Sequence, residues 1–298
     1  MKAKHNMKRI VILFFVLCIS VLINILWSQE PNLITAEKPI KHNIKGYASV
    51  RSLIYSTSSL LDKNGGYISN DIFPLSKAMD NITAFEFGAL EQIRDFALIL
   101  RREFSRNKSQ STENKNLAQA QPKLSIDHKS FMFPSAEKSY YQAITLLEKY
   151  LDDIQNNKAV FAPRAGNLAT WLNLVSSRLG DLSQRLSDQK DSTDQLHNFK
   201  KWLMIDNVFY EARGSCWVLI NLLEGVSVDF KNVLLKKNIN NFDEIKKELL
   251  QTQNYVWSPM ILNGNGFGLT ANHLLVMANY ISRANATIID MINLLEKG

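Results

Sequence analysis

The most pronounced hydrophobic pattern is a run without charge at residues 10–27, IVILFFVLCISVLINILW. As a helix, this run is long enough to cross a hydrocarbon layer of about 30 Å. Basic residues precede it and Trp27 ends it, which is typical of a membrane anchor whose N-terminus stays in the cytoplasm. A cleaved signal peptide is the alternative, but it needs a shorter apolar core and small residues near the cut, where Leu26 would lie. The pattern therefore predicts that residues 1–27 form a cytoplasmic stub and a transmembrane anchor.

Residues 28–45 have two prolines, scattered charges and no periodicity, so they are predicted to be a tether between the membrane and a folded body. Beyond them, apolar residues recur at helical spacing, and residues 46–298 are predicted to form one bundle-like all-α domain. Thr83, with Glu86 three residues later, predicts the N-terminal capping box of one of these helices. The predicted helices cover residues 46–62, 83–106, 136–155, 163–186, 202–225, 229–237, 241–253 and 270–295.

Two segments depart from this helical pattern. Residues 107–122 are polar with few large apolar groups, and they are predicted to be a long loop. Residues 123–134 (KLSIDHKSFMFP) alternate between apolar and polar on both sides of a four-residue turn. This alternation is typical of a small β-hairpin, which would contain the only strands of the fold. The expected fold class is all-α, with one transmembrane helix, a helical-bundle-like domain and this hairpin as an option.

Charge and cysteine content narrow the range of partners. The formal net charge is +7, and four of the positive charges precede the apolar run, at Lys2, Lys4, Lys8 and Arg9. No block of five or six like charges follows, so no nucleic-acid partner is predicted. The two cysteines, Cys18 and Cys216, offer neither a CxxC pair nor a disulfide framework.

The turn NGNGFG at residues 263–268 precedes the last predicted helix and resembles a phosphate-binding loop at first sight. A dinucleotide-binding turn needs GxGxxG after a strand, and a P-loop needs a lysine after its last glycine. Neither condition is met, so a chain reversal through residues that tolerate positive φ is the preferred interpretation. The free N–H groups at the start of the helix leave an anion site as the alternative. Asn263 is the candidate ligand contact within this turn.

Two further clusters are candidate ligand or partner sites. On a helix, Tyr210 and Arg213 share one face with Asp206, and Glu211 points elsewhere. Arg213 either pairs with Asp206 or with an acid of another helix, or lines a pocket for an anionic or sugar-like ligand. The last helix has a polar stripe opposite its apolar face, which is either solvated or faces a neighbouring helix or partner. The stripe consists of Asn272, Asn279, Arg283 and Asp290.

Other catalytic signatures are missing from the sequence. The five histidines are dispersed, without HExxH or a comparable metal-ligand spacing, and His273 is interpreted as a hydrogen-bonded structural residue. No GxSxG elbow occurs, and the SxxK pair of Ser135 and Lys138 lacks the companion motifs of penicillin-binding enzymes. Ser135 is better explained as a helix cap. The sequence therefore predicts no metal, no cofactor and no identifiable catalytic residue.

Four segments carry a resemblance to a known family. They are residues 65–74, 85–122, 206–219 and 257–290. In this order they resemble a bacterial family known as domain of unknown function 2333. The resemblance covers most of the chain, and the block at 85–122 is its most specific part. It implies a Gram-negative envelope protein with a single membrane helix, so that residues 28–298 would lie in the periplasm, and it implies no catalytic residue.

The leading hypothesis is a non-enzymatic scaffold or interaction protein of the envelope, anchored in the inner membrane. Its expected partners are the lipid bilayer, through residues 10–27, and an envelope protein or cell-wall component. The alternative is an enzyme or binding domain for cell-wall or lipid-derived ligands, acting through Arg213 and Glu211 or through residues 263–283. The missing nucleophile, metal and cofactor motifs favour the first hypothesis.

Overall fold

A computed structural model describes residues 2–34, 44–71, 79–106, 113–188, 195–256, 261–263 and 271–297. These residues contain helices, turns and one isolated bridge, and no β-strand, which confirms the all-α fold class. The helices are α1 (Lys2–Trp27), α2 (Tyr47–Asp62), α3 (Asp80–Ile99), α4 (Lys115–Leu124), α5 (Ala136–Gln155), α6 (Ala165–Ser187), α7 (Gln195–Asp229), α8 (Lys231–Lys236), α9 (Phe242–Gln251) and α10 (His273–Glu296). A π-helical turn at Leu100–Phe104 extends α3.

Helix α7 is the central helix of the body. From Phe209 to Val226 it carries apolar or small residues on nearly every face, and most of them are buried. A helix that is apolar all round must be covered on all sides. Helices α2, α3, α6, α9 and α10 provide that cover, and α3 has the most extensive contact with it.

Two glycines let α3 and α7 touch through their backbones. A Cβ on Gly88 would overlap the carbonyl oxygen of Glu211, and a Cβ on Gly214 would overlap the carbonyl oxygen of Phe85. Main-chain atoms have no alternative rotamer, so a side chain at this crossing would force the two helices apart. The crossing thereby fixes Glu211 beside the N-terminal half of α3.

Adding a methyl group at this crossing should destabilise the protein. We expect Gly214→Ala to lower the free energy of unfolding by about 3 kcal/mol, because the helices must separate and the core around them loses contacts. The matched control is Gly180→Ala in α6, where the nearest atom to the new Cβ is 3.8 Å away. That change should stabilise the protein by about 0.5–1 kcal/mol, because alanine favours a helix interior. Chemical denaturation followed by circular dichroism measures both effects, and equal effects would contradict the close crossing.

The remaining helices cover this centre in pairs. Helices α4 and α5 pack on each other beside α2 and α3, while α6 packs along α10, which also contacts α9. Ser135 accepts a hydrogen bond from Lys138 N at 3.3 Å, which confirms it as the cap of α5. The core contains a cluster of aromatic rings whose neighbouring centroids are 5.1–5.9 Å apart. Its members are Phe96, Phe104, Phe161, Trp171 and Phe230.

The predicted loop at residues 107–122 is wrong in its second half, since α4 occupies it. The side chain of Asn114 accepts hydrogen bonds from two backbone N–H groups of the first turn and so begins this helix. Its buried residues have helical spacing, but polar neighbours hide the pattern in the sequence. They are Leu117, Ala120 and Leu124.

The predicted β-hairpin at residues 123–134 is also wrong. Residues 125–134 form successive turns without strand pairing. The carbonyl oxygens of Leu124 and Ile126, which a hairpin would use for pairing, accept hydrogen bonds from the guanidinium of Arg94 on α3. These carbonyl groups are therefore hydrogen-bonded to one arginine side chain and not to a partner strand.

Helix α1 contains the apolar run, and most of its described side chains face away from the body. The apolar side chains from Val11 to Phe15 are 50–68% exposed. Ile23 and Trp27, near the end of the helix, pack against the core of the body. Among the residues that the structure describes, no helix combines the length and the apolar character needed to span a membrane. The transmembrane assignment of residues 10–27 thus stays a prediction.

The segment that follows α1 lies along α7, in the first part of the predicted tether. Three contacts hold this docked segment (residues 28–34): Glu30 with Arg213 at 2.7 Å, Asn32 O with Trp217 Nε1 at 3.2 Å, and Ile34 N with Asn221 Oδ1 at 2.9 Å. Every second residue of the segment meets every fourth residue of α7. The spacing matches, because two extended residues advance about 6.6 Å and four helical residues about 6 Å. The docked segment fixes the end of α1 to the body.

Candidate functional site

A fully buried ion pair lies where the chain turns from α2 to α3. Lys63 Nζ is 3.0 Å from Glu86 Oε1, and the two side chains are 2% and 0% exposed. The carboxylate also accepts hydrogen bonds from the backbone N–H groups of Ile68 and Ser69 and from the Ser69 hydroxyl. Lys63 donates a further hydrogen bond to the carbonyl oxygen of Gly66 at 2.6 Å. The pair therefore holds the described residues that follow α2, residues 63–71, against α3. We call residues 63–71 the α2–α3 turn.

This pair replaces the predicted capping box. The hydroxyl of Thr83 donates a hydrogen bond to the carbonyl oxygen of Asp80, within the first turn of α3. Glu86 reaches away from the helix end to the α2–α3 turn, so it does not cap α3. Burial raises the pKa of the Glu86 carboxyl, and Lys63 and Ser69 oppose that rise.

A cleft of about 550 Å³ opens beside the pair, between the α2–α3 turn, α3, α7 and the turns before α5. We call it the α3–α7 cleft. Its apolar surface comes from Ile68, Ala84 and Phe87. The volume is sufficient for a small ligand or for one side chain of a partner protein. The polar residues of its walls are Ser69, Asp71, Asp80, Thr83, His128, Lys129, Asn207 and Glu211.

Glu211 lies in the cleft wall, held by an arginine from α6. Arg185 donates one hydrogen bond to each oxygen of the Glu211 carboxylate, at 2.9 and 2.5 Å. This two-point contact raises the pKa of the Arg185 guanidinium, because the adjacent carboxylate favours its charged form. The negative charge of Glu211 is therefore balanced within the body.

Asp206 is next in sequence to Asn207 of the cleft wall and has no ion-pair partner among the described residues. It is 8% exposed, and burial, together with the nearby carboxylate of Asp80, raises its pKa to about 6. The Oδ1 atoms of Asp206 and Asn207 are buried and have no hydrogen-bond donor among the described residues. Buried acceptors without a donor are costly. This part of the site therefore suits a ligand that brings N–H groups or a positive charge.

Titration of Asp206 should make the stability of the protein pH-dependent. Because its pKa is higher in the folded protein than in the unfolded chain, folding should weaken as the pH rises from about 4 to about 6. We expect Asp206→Asn to remove this loss, giving a gain of about 1 kcal/mol over the wild type at pH 7 and none at pH 4, after discounting for solvent screening. Thermal unfolding at both pH values measures it. Equal effects at the two pH values would contradict the shifted pKa.

His128 covers one side of the cleft instead of lying at a hairpin tip. Its ring centroid is 4.9 Å from that of Phe87. Burial lowers the pKa of the His128 imidazole, and Lys129 lowers it further. The ring is therefore neutral at pH 7 and contributes an apolar surface together with one donor and one acceptor.

Arg213 and Tyr210 lie in the joint between the docked segment, α7 and the end of α9. The Arg213 Nε donates to the Glu30 carboxylate at 2.7 and 2.8 Å. Its terminal nitrogens donate to the carbonyl oxygens of residues 252–254, at 2.8–3.0 Å, and so close the C-terminal end of α9. Tyr210 is half-buried, and burial raises the pKa of its hydroxyl. Arg213 thus pairs with an acid, but this acid is Glu30 of the docked segment and not Asp206 or an acid of another helix, as the sequence predicted.

Asn263 and Asn272 pair with each other at the start of α10. Asn272 Nδ2 donates to Asn263 Oδ1 at 3.0 Å, and Asn272 Oδ1 caps α10 by accepting from Leu275 N at 2.9 Å. His273 Nδ1 accepts from Leu262 N at 3.0 Å, which confirms it as a structural histidine. The glycines of the predicted chain reversal lie outside the described residues.

Asn279 and Arg283 lie on the solvent-exposed side of α10. Arg283 is 59% exposed and forms an ion pair at 2.6 Å with Glu248 of α9. The α3–α7 cleft contains Glu211 but none of the four candidates at residues 263–283. The candidates therefore occupy three places: the cleft, the joint around Arg213, and the surface of α10.

Comparison with known proteins places the chain in a family. A model of a bacterial family, described as an uncharacterized protein conserved in bacteria and named domain of unknown function 2333 (DUF2333), matches residues 1–298. The chain belongs to this family. No curated protein and no solved structure matches it. Membership confirms the resemblance found in the sequence and assigns no activity to any residue of this DUF2333 protein.

The DUF2333 chain uses several polar residues that sequence reasoning missed. Asp80 and Asn207 line the cleft, and Lys63 pairs with Glu86 beside it. Their partners are distant in sequence, so no local spacing indicates them. Among the described residues, no group of three or more His, Cys, Asp or Glu side chains could hold a metal ion.

Proposed function

We propose that this DUF2333 protein is a non-enzymatic scaffold or interaction protein of the bacterial envelope, anchored in the inner membrane by residues 10–27. Its N-terminus would lie in the cytoplasm and residues 28–298 in the periplasm. The observation that carries the proposal is the apolar surface of α1, where the side chains from Val11 to Phe15 are 50–68% exposed. Such a surface on a helix flanked by basic residues needs a lipid environment.

The joint after α1 supports a scaffold. A flexible tether would let the body tumble freely, whereas Glu30, Asn32 and Ile34 each bind α7 in register. The body is therefore held in one orientation relative to the end of α1. A fixed orientation lets an anchored protein present the same surface to every partner.

The non-enzymatic reading is favoured by the contacts of the polar residues. A general acid or base must reach a proton of its substrate. Arg213 instead binds Glu30 and three carbonyl groups, and Glu211 is held on both oxygens by Arg185. Both side chains stabilise the body. The enzyme hypothesis through Arg213 and Glu211 therefore lacks a side chain that is available to a substrate.

A second candidate function, ligand binding in the α3–α7 cleft, is favoured by one observation. The cleft adjoins two buried acceptor oxygens, on Asp206 and Asn207, that have no donor within the described residues. With Asp71 and Asp80 in the same walls, the cleft would take an amine or a basic side chain of an envelope partner. This would make the cleft the partner-binding site of the scaffold.

Three experiments test the proposal: the membrane topology, the turnover of envelope substrates, and the capture of a partner by crosslinking. An alkaline phosphatase fused after residue 298 should be active in the periplasm, and the purified full chain should not turn over muropeptides or envelope lipids. A photo-crosslinking residue at Asn207 should capture an envelope protein or cell-wall component, and one at Leu235, an exposed position on α8, should not. Phosphatase activity confined to the cytoplasm, or turnover of an envelope substrate, would refute the proposal.

A further inference from the structure

The turn before α5 carries three consecutive large apolar residues on its outside. Phe131, Met132 and Phe133 are 41%, 61% and 94% exposed. We call this segment the FMF loop. The base of the loop is closed, since the Ser130 hydroxyl donates to the carbonyl oxygen of Pro134 at 2.8 Å. Because the base of the loop is closed, the three side chains at its tip point outward and do not join the core. Three consecutive exposed apolar residues are unusual on a surface that faces water.

The FMF loop is attached to the end of the body where α2 ends. Ser130, at its base, accepts a hydrogen bond from Asn70 Nδ2 of the α2–α3 turn at 3.1 Å. Tyr141, in the first turns of α5 after the loop, donates its hydroxyl hydrogen bond to Asp62, the last residue of α2, at 2.7 Å. The first contact joins the base of the loop to the α2–α3 turn, and the second joins α5 to the end of α2.

The end of α1 lies against the same turn. Asn64 Nδ2 donates to Gln29 Oε1 at 2.8 Å, just after α1 ends. Trp27 packs on Gly65 so closely that a Cβ on this glycine would lie 2.5 Å from the indole Cγ. The α2–α3 turn therefore contacts both the last turn of α1 and the base of the FMF loop.

The residues around the loop favour a lipid headgroup region. Lys129 and Lys138 lie on either side of the loop and are exposed. Exposed lysines beside apolar side chains match a membrane interface, where the apolar groups enter the acyl boundary and the amines meet phosphates. Trp27, at the end of the apolar run, is the residue type enriched at that same depth.

We propose that the FMF loop inserts into the lipid interface beside α1, as a second membrane contact that holds the α2–α3 turn against the bilayer. The occupant of this apolar surface is lipid, because the turn that holds the loop through Asn70 also contacts Trp27, where the apolar run of α1 ends. The inference rests on the proposed anchoring by α1. A body held at two points, α1 and the loop, keeps the same face toward the bilayer.

The experiment measures the depth of nitroxide labels on the full chain in vesicles of phosphatidylethanolamine and phosphatidylglycerol. One sample carries the label on native Cys18 of α1, which is exposed, and reports the anchor itself. Two others combine Cys18→Ala with Met132→Cys or Leu235→Cys. Burial raises the pKa of the Cys216 thiol to about 12, so this cysteine stays unlabelled.

Leu235 is the matched control for Met132. Both are apolar and both are 61% exposed. Leu235 follows Asp229, which accepts hydrogen bonds from Gly46 N and Ser49 N at the start of α2. Since α2 has 16 residues and is about 24 Å long, Leu235 lies at the end of the body away from the FMF loop.

The proposal predicts a several-fold higher ratio of oxygen to nickel-chelate accessibility at Met132 than at Leu235, and a ratio below that at Cys18, which lies in the middle of the apolar run. A lipid-embedded Cys18 with a water-exposed Met132 would overturn the loop insertion and leave the anchor intact. A Met132 label shielded from both reagents would show a protein partner on the loop, and would also overturn it. A water-exposed Cys18 would instead refute the anchoring by α1.

Discussion

Replacing Glu86 with leucine should lower the free energy of unfolding by about 3–5 kcal/mol, one of the two largest effects expected for a single substitution in this protein. The reason is that Lys63, 2% exposed, would keep its charge in the core without a carboxylate. The backbone N–H groups of Ile68 and Ser69 would also lose their acceptor. Urea unfolding followed by circular dichroism measures the loss.

The double variant Lys63→Met with Glu86→Leu is the matched control. It removes both charges and fills the space with apolar atoms, so it should recover a large part of the stability lost in Glu86→Leu. A double variant no more stable than Glu86→Leu would show that the loss comes from packing. In that case the buried ion pair would not be what holds the α2–α3 turn.

The second large effect is expected for Arg213→Ala. The change leaves Glu30 without its partner and exposes three carbonyl groups at the end of α9, and it should cost about 3–5 kcal/mol. The docked segment should detach, so the amide of Ile34, now bonded to Asn221, should exchange with deuterium much faster. Thermal unfolding and hydrogen exchange of the full chain measure the two effects.

Arg283→Ala is the control for Arg213→Ala, since the sequence proposed both arginines as ligand contacts. Arg283 is 59% exposed, and an exposed ion pair contributes little, so the loss should be below about 1 kcal/mol. If Arg213→Ala kept its melting temperature while losing its function in cells, Arg213 would be a ligand-binding residue. The enzyme or ligand-binding alternative would then replace the scaffold.

The helices with regular apolar spacing could be predicted from the sequence, and those with polar surfaces could not. Helix α6 follows from its leucines and Val175, which recur at alternating steps of four and three. Helix α5 follows from Ser135 and the apolar residues after it. Helix α4 escaped prediction because three buried residues in ten are too few to stand out from polar neighbours. The hairpin prediction failed because Arg94 donates hydrogen bonds to backbone carbonyl groups of that segment. No local sequence pattern indicates these hydrogen bonds.

The candidate site was only partly predictable, for a similar reason. The polar and aromatic residues at 206–214 belong to α7, which contributes Glu211 and Asn207 to the cleft. The acids that complete the site come from other parts of the chain, such as Asp71 and Asp80. The distance between these acids and α7 depends on the close backbone contact of α3 and α7 at Gly88 and Gly214. A glycine within a helix does not indicate in the sequence which backbone it contacts.

Alkaline carbonate extraction of cell membranes tests whether α1 anchors the chain in the membrane. The variant for comparison is Phe14→Asp with Leu22→Asp, two exposed positions of α1 where each acid should cost about 2.5–3.5 kcal/mol of insertion free energy. The wild-type chain should stay in the membrane pellet, and the variant should be released. Release of the wild-type chain into the supernatant would contradict the anchoring by α1.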